Sequence, residues 1–447
     1  MRRDFVQVSG EDFVVNHQKI VLRGFSVGSW MNLEHFMIGL PGTDSMIRAA
    51  FADVYGVDRA REFFARYAEV FLQDGDFRLL RQMGVNSLRL PVNYHAFLDD
   101  RTGEPSDEGF RILDRVLALC EKYRIYAILD LHAVPGGQNP DWHADNRTGV
   151  SQFWEFACFQ QQAAAIWRRI AEHYAGNPWI AGYDLLNEPF SGLTAEQFNG
   201  FYDTAIAAIR EVDPDHVLLL EGDDFGRSFE LFHEPQDPQI AYAVHYYPFV
   251  IDDAVLDESV DDSVRMEVFE RIFYRQLRAK ERFHRPIWCG ETGLEFNRAQ
   301  SGLYQRMVEK TIDLCETNHV SWSLWTYKDA QAMGIVFPAD DSPWMRLVRE
   351  VAKTWSHHGE MARSAEIMNW IEKTYFEPMD QDFWYRTEFR VRSILHAVAV
   401  EQTLKPALRK IPWEEMRTYP DSFDMERCSR YDDMIALIAR LIARYPA

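Results

Sequence analysis

The 447 residues, 47% hydrophobic and 14% aromatic, suffice for the core of one large α/β barrel with an appendage. A formal charge of −21 leaves no surplus of Lys and Arg to neutralise phosphates, so nucleic acid is excluded as a partner. Five cysteines without metal-ligand spacing, no long uncharged apolar run and an opening MRRDFVQVSG without an apolar stretch behind it predict a soluble, cytoplasmic chain with reduced thiols and no transmembrane segment.

In chain order, after a short N-terminal β segment, strand-like runs alternate with helix-like ones, the pattern of a parallel sheet whose crossovers are helices. The strand candidates are KIVLRGFSVG (19–28), VNSLRLPV (85–92), YAILDLHA (126–133), IAGYDLLNEP (180–189), HVLLLEGD (216–223), IAYAVHYYP (240–248), PIWCGETG (286–293) and HVSWSLWTYK (319–328). Between them lie segments with apolar residues at i, i+3, i+4 spacing, such as FRILDRVLALCEKY and LYQRMVEKTIDLCE. Eight such units predict a closed (β/α)8 TIM barrel, and the near-continuous apolarity of the strands fits burial on both faces. The connection from Trp30 to about Asp58 and the stretch HAVPGGQNPDWHADNRTG after the third strand are long and aromatic, which predicts functional loops. Alternation stops after Trp344, so residues 1–356 are read as the catalytic barrel and 357–447 as a helical extension packed on it. Its aromatics Trp370, Tyr375, Phe376, Trp384 and Tyr385 are expected to pack against the barrel.

Reacting groups of such barrels sit at the C-terminal strand ends. Those ends carry Arg89, His132, Asn187 and Glu188, His245 and Tyr247, Glu291, and Trp325. Two carboxylates are the minimum equipment for glycoside hydrolysis, one to protonate the leaving oxygen and one to meet the oxocarbenium centre. Taken singly, Arg89 could brace the barrel, Trp325 could be core and His245 structural; their joint placement favours a site. Cys289 reads as a small buried strand residue. His132, His143 and His245 lack HxH or HExxH spacing, so no metal is expected. Asp223 and Asp224 read as a solvated turn or helix cap.

With these residues in view, the chain resembles the family 5 glycoside hydrolases, in the clan of retaining TIM-barrel β-glycosidases. The likeness spans roughly residues 10–350. RGFSVGSWMNLEHF, GDFRLLRQMGVNSLRLPVNYHAF and DLHAVPGGQNPDWHADN are similar to the exo-β-1,3-glucanase branch, with departures at PGGQN, PDWHADN and the C-terminal extension. The resemblance implies Glu188 as acid/base, Glu291 as nucleophile, Asn187 on the sugar 2-hydroxyl, and no organic or metal cofactor. By the same resemblance Glu34 would reach the terminal sugar, with a solvated loop carboxylate as the alternative. The length and aromatic content of the two loops predict that Trp30 and Trp142 wall one end of the cleft into a pocket. The expected activity is retaining exo hydrolysis of β-glucosides or short β-glucans; an endo-acting β-glucanase or mannanase, or a carbohydrate-binding pseudoenzyme, are the alternatives. Arg89 and Tyr247 beside Glu291 predict a lowered nucleophile pKa, and repulsion from Glu291 a raised one for Glu188. Sugar, linkage, aglycone and oligomeric state are not fixed by the residues.

Overall fold

The computed structural model describes residues 4–99, 102–190, 192–234, 236–252, 255, 257, 259–294 and 301–445. Arg2 and Arg3 of the opening lie outside them. Eight parallel strands close into a barrel: β1 (Arg23–Ser26), β2 (Ser87–Asn93), β3 (Tyr126–Ala133), β4 (Ile180–Asp184), β5 (Val217–Glu221), β6 (Ile240–Tyr246), β7 (Ile287–Thr292) and β8 (Ser321–Leu324). Each pairs with its chain neighbours, and β8 pairs with β1. Every residue of β2 and of β4 to β8 is buried, because side chains fill the inside and helices cover the outside.

The alternation of strand side chains decides what the barrel contains. Low in the interior, Ile128, Val217, Leu219, Ala241, Ala243 and Trp288 form an apolar layer. The antiparallel strands Gln7–Ser9, Asp12–Val15 and Gln18–Ile20 add Val6, Val8, Phe13 and Leu22 to it, so the N-terminal sheet stoppers that end. Two residues further along the same strands come Asp130, Glu221 and His245, all buried. The interior therefore changes from apolar to charged within one strand length. On β7 the register against β6 slips between Cys289 and Glu291. That bulge leaves Glu291 paired with inward-facing His245; strict alternation from Trp288 would have turned it outward.

The connection after β1 is mostly helical: a single turn at His35–Ile38, then α1 (Asp44–Tyr55) and α2 (Val57–Phe71). The expected long loop thus shrinks to residues close to the strand, because the apolar side chains of α1 and α2 pack into the shell around the barrel. After α3 (Ser301–Thr317) and β8 the chain forms α4 (His357–Ile371), α5 (Gln381–Ala399) and, last, α6 (Asp432–Arg444). The stretch between α5 and α6 places Leu404, Leu408, Met416 and Phe423 in the barrel shell, fully buried. Residues Cys428–Arg430 pair antiparallel with Val336–Pro338, so the extension is not purely helical. Buried Lys328 donates to the carbonyls of Phe71 and Phe423 at 2.8 and 3.0 Å, joining α2 to this stretch.

One expectation for the extension fails. Trp370, Tyr375 and Phe376 are 59–63% exposed and Tyr385 is 39% exposed. The apolar seam between α4 and α5 is taken by Met368, Met379 and Val391, with Trp384 against them, which leaves Trp370, Tyr375 and Phe376 outside. Tyr385, by contrast, does meet the barrel, edge-on to Phe190 after β4 at 5.9 Å. Among the described residues no helix is long and apolar enough to cross a membrane.

Candidate active site

All eight strand-end residues converge at the C-terminal mouth. Arg89, fully buried on β2, is the hub: it donates to Asp184 (3.0 Å), Asn187 (2.7 Å), Glu221 (3.2 Å) and Glu291, and lies 3.1 Å from Asp130. Other donors share the load at three of the four carboxylates, Glu188 N–H on Glu221, Tyr247 on Glu291 and His132 on Asp130, while burial and the charge of Glu221 push the Asp184 carboxyl well above its usual range. Tyr247 donates its hydroxyl to the second Glu291 oxygen at 2.9 Å. The Glu291 carboxylate is thereby oriented from both sides.

Glu188 stands beyond the end of β4 with φ at +46°, a left-handed conformation uncommon for a carboxylic residue. Two contacts over-determine it. Its N–H donates to Glu221 at 2.7 Å, and its carbonyl accepts from the Asn139 amide at 2.9 Å. The side chain then reaches His245 at 2.7 Å with one oxygen and His143 at 3.0 Å with the other. One ligating atom each of Glu188, His245 and Glu291 falls within a 4.8 Å span, so the two carboxylates face each other across a short gap. Asn187 accepts from Arg89 through its oxygen, while its buried Nδ2 has no hydrogen-bond partner among the described residues.

The third-strand loop is stitched to this centre by Gln138, whose amide donates to the carbonyls of His132 (2.7 Å) and Asn187 (2.8 Å). His132 stacks on Trp325 at 5.5 Å with the planes 7° apart. A Cβ at position 28 would come within 2.6 Å of the Trp325 ring, which explains Gly28 in the strand-end turn. Glu34 is buried, 3.4 Å from His132 Nε2, and is no solvated loop carboxylate. Trp142 is half-buried, edge-on to His35 at 4.6 Å, on the rim beside His143. Trp30 is corrected: it is 1% exposed and its indole donates to Ala68 of α2, so it braces α2 and does not wall the cleft. The tight backbone turn at Ser29, with φ at +56°, comes just before this residue.

Sequence reasoning missed several members. Asp130 and Glu221 were legible as inward positions two residues before strand-end side chains or at a strand end. Asp184, the last residue of β4, carried the same signal. His143 lies on a single 3₁₀ turn (Trp142–Ala144) in the connection after β3, and only the fold brings it to Glu188. Cys289 is a buried strand residue.

The ionisation pattern reverses the expected order. Burial pushes the Glu188 carboxyl up, but the charges of His245 and His143 outweigh it and hold the group well below the ordinary carboxylate range. Burial raises Glu291 more than His245 and Arg89 lower it, with Glu188 repelling it further. Burial opposes charge on His245, yet Glu221, Glu291 and Glu188 keep its pKa well above the usual value. His143 is raised likewise, with Glu188 overcoming desolvation. These shifts favour protonated imidazoles beside an ionised Glu188.

The pattern of the family described as Cellulase (glycosyl hydrolase family 5) matches residues 60–331. A beta-xylosidase of Phanerodontia chrysosporium is 36% identical over 361 residues, spanning 77% of this chain and 75% of that protein. Cellodextrinase A of Ruminococcus flavefaciens is 24% identical across 50% of this chain and 69% of its own length. A probable glucan 1,3-beta-glucosidase A of Emericella nidulans is 27% identical across 44% of this chain and 50% of its own. In fold the chain is similar to a mutant form of Thermotoga maritima Cel5A in complex with cellobiose, with a TM-score of 0.51 at 18% identity over 70% of this chain and 91% of that one.

Proposed function

Because the chain belongs to glycosyl hydrolase family 5, whose members hydrolyse glycosidic bonds, we propose that it removes terminal sugars from β-glucosides or short β-glucans by double displacement, with Glu291 as nucleophile and Glu188 as acid/base. The observation that carries this reading is the close facing of the two carboxylates. Retaining enzymes keep them about 5–5.5 Å apart, too close for an intervening water, so one must attack carbon directly. Arg89 and Tyr247 hold Glu291 for that attack, and the free Nδ2 of Asn187 would donate to a sugar hydroxyl.

Glu188 draws its proton from the imidazoles it touches. The bonds to His245 and His143, 2.7 and 3.0 Å, are short enough for the proton to cross as the leaving oxygen gains charge. Having passed its proton to the leaving oxygen, Glu188 is a carboxylate when Glu291 is esterified. With the Glu291 charge gone it stays ionised more readily and accepts a proton from the attacking water, whose oxygen displaces Glu291 from carbon. His132, Trp325 and Glu34 would grip the terminal ring, and Trp142 would close the rim.

Exo action is supported by enclosure: the Glu188 and Glu291 side chains are only 14% and 6% exposed, and Glu34, His132 and Trp325 are buried around them. A long polymer threading through would need a more open groove. The relative named beta-xylosidase supports a second substrate reading, a terminal β-xyloside. Aryl β-glucosides, aryl β-xylosides and short β-glucans, with products resolved over time, separate these readings. Monosaccharide should appear from the first time points; early mixed internal fragments would overturn exo action, and a strong preference for the xyloside would reassign the sugar.

A further inference from the structure

Above the chemical centre, three segments remote in sequence meet. His35 sits on the helical turn after β1, Glu360 on α4 and His396 on α5, and all three are at least 95% buried. One side-chain ligand atom from each lies within 4.8 Å of the other two. His35 Nδ1 and both ring nitrogens of His396 have no hydrogen-bond partner among the described residues. Three buried imidazole nitrogens without partners are costly unless something fills the space between them. Glu360 Oε1 lies 3.1 Å from His396 Nε2 without the alignment of a hydrogen bond, so the two atoms converge on a shared point beside them.

We propose that His35, Glu360 and His396 bind a divalent transition-metal ion of the Zn²⁺ type, pinning the C-terminal helices to the loop that carries Glu34. Nitrogen and carboxylate ligands at about 2.0–2.2 Å on a tetrahedral ion stand about 3.4 Å apart. The His396–Glu360 pair is already near that spacing, and the wider edges of the triangle close with side-chain movements of about 1 Å. The outer partners of the ligands are in place. Trp355 donates its indole N–H to the other Glu360 oxygen at 2.7 Å, and His35 Nε2 is 2.8 Å from His357 Nδ1. With His35 donating to His357, its Nδ1 lone pair is left for a metal, the usual way an outer hydrogen bond fixes a ligating tautomer. Arg392, a cation in the same region, is engaged with Glu388 at 3.2 Å and leans toward Asp141.

Two other sets of ligand-type atoms are equally compact: Glu188–His245–Glu291 and Asp44–His95–Asp145. In the first, hydrogen bonds from Arg89, Tyr247 and His245 already hold the carboxylates; in the second, Arg48, Ser45 and His95 do so. His245 Nε2 also lacks a hydrogen bond, but it faces Glu221 at 3.1 Å while Nδ1, the atom turned to Glu188 and Glu291, is bonded. Among the described residues the His35 set is the one whose converging nitrogens are themselves orphaned. Its ligands come from positions 35, 360 and 396, which is why no short histidine motif announces it.

The test uses the full chain, stripped with a chelator and titrated with Co²⁺ as a coloured stand-in for Zn²⁺. The proposal expects one equivalent bound with visible absorption, weakened by about 100-fold or more in Glu360→Gln and His396→Gln, and retained in Glu188→Gln. X-ray absorption on the cobalt-loaded wild-type chain reads the ligands without any substitution and should show two imidazoles and a carboxylate. Failure of the wild type to bind one equivalent, a spectrum without imidazole, equal binding by both variants, or loss in Glu188→Gln would each overturn the assignment.

Discussion

Six histidines gather at the mouth of the barrel in two groups, one biased toward the cation and the other toward the neutral ring. On the floor, desolvation is outweighed by carboxylates: Asp130 and Glu34 lift His132 to about 10, and His143 and His245 are raised by Glu188 and its neighbours. On the wall, burial takes the other course. It lowers His35 well below its usual value, helped by His396 and His357; it takes His357 to about 4 and His396 to about 3. The same imidazole is a cation where acids surround it and neutral where other imidazoles and Arg392 do. The floor is therefore a balanced ionic network around Glu188 and Glu291, whereas the wall is a neutral aromatic and imidazole surface supplied by the turn after β1 and by α4 and α5.

The largest effect is expected from removing the wall altogether. A chain ending at residue 356 loses Leu404, Leu408, Met416, Phe423 and Leu441, each fully buried. Burial of one such side chain contributes about 1.5–3 kcal/mol, and whole domains are stable by only about 5–15 kcal/mol. We expect no soluble, cooperatively melting protein. A monodisperse, fully active truncated chain would show that floor and wall are independent.

Within the floor, Glu291→Ala should abolish hydrolysis, by about 10⁴-fold or more, and azide should restore turnover with an α-glycosyl azide as product. Glu188→Ala should still be glycosylated by substrates with good leaving groups, stall at deglycosylation, and give a β-glycosyl azide. The anomeric configuration, read by nuclear magnetic resonance, would exchange the two roles if the products came out the other way round.

A smaller effect probes the floor's charge. His143 is held protonated by Glu188, and its charge in turn holds Glu188 low. His143→Gln removes that charge, so the proton shared between His245 and Glu188 is held to higher pH and the basic limb of kcat/KM should move up. An unmoved or lowered limb would mean that His143 does not set the ionisation of Glu188.

The floor was far more legible in the sequence than the wall. Strand periodicity and the position of Arg89, His132, Asn187, Glu188, His245, Tyr247, Glu291 and Trp325 at strand ends carry enough information to bring them together, because a closed parallel barrel aims every C-terminal end at one point. Two details escaped. The bulge between Cys289 and Glu291 depends on pairing with β6, and the left-handed turn at Glu188 depends on Glu221 and Asn139. What tertiary contact creates was hidden: His143 on the floor and Trp142 on the rim look like loop residues, and the wall's His35, Glu360 and His396 share no local spacing. Trp30 was misplaced because aromaticity next to a strand end does not say on which side of a tight turn the ring falls. Trp370, Tyr375 and Phe376 are expected against the barrel because aromatic side chains favour burial, but the methionine seam of α4 and α5 takes that place and leaves them exposed.

The central claim is that Glu291 attacks carbon and Glu188 serves as acid/base. Incubation with a 2-deoxy-2-fluoro β-glycoside bearing a good leaving group, with glucosyl and xylosyl forms compared, slows breakdown of the glycosyl-enzyme enough for peptide mass spectrometry. The account predicts one sugar per chain, attached to the peptide containing Glu291, with no label in Glu291→Ala. Label on Glu188, or time-dependent inactivation without any covalent sugar, would contradict it.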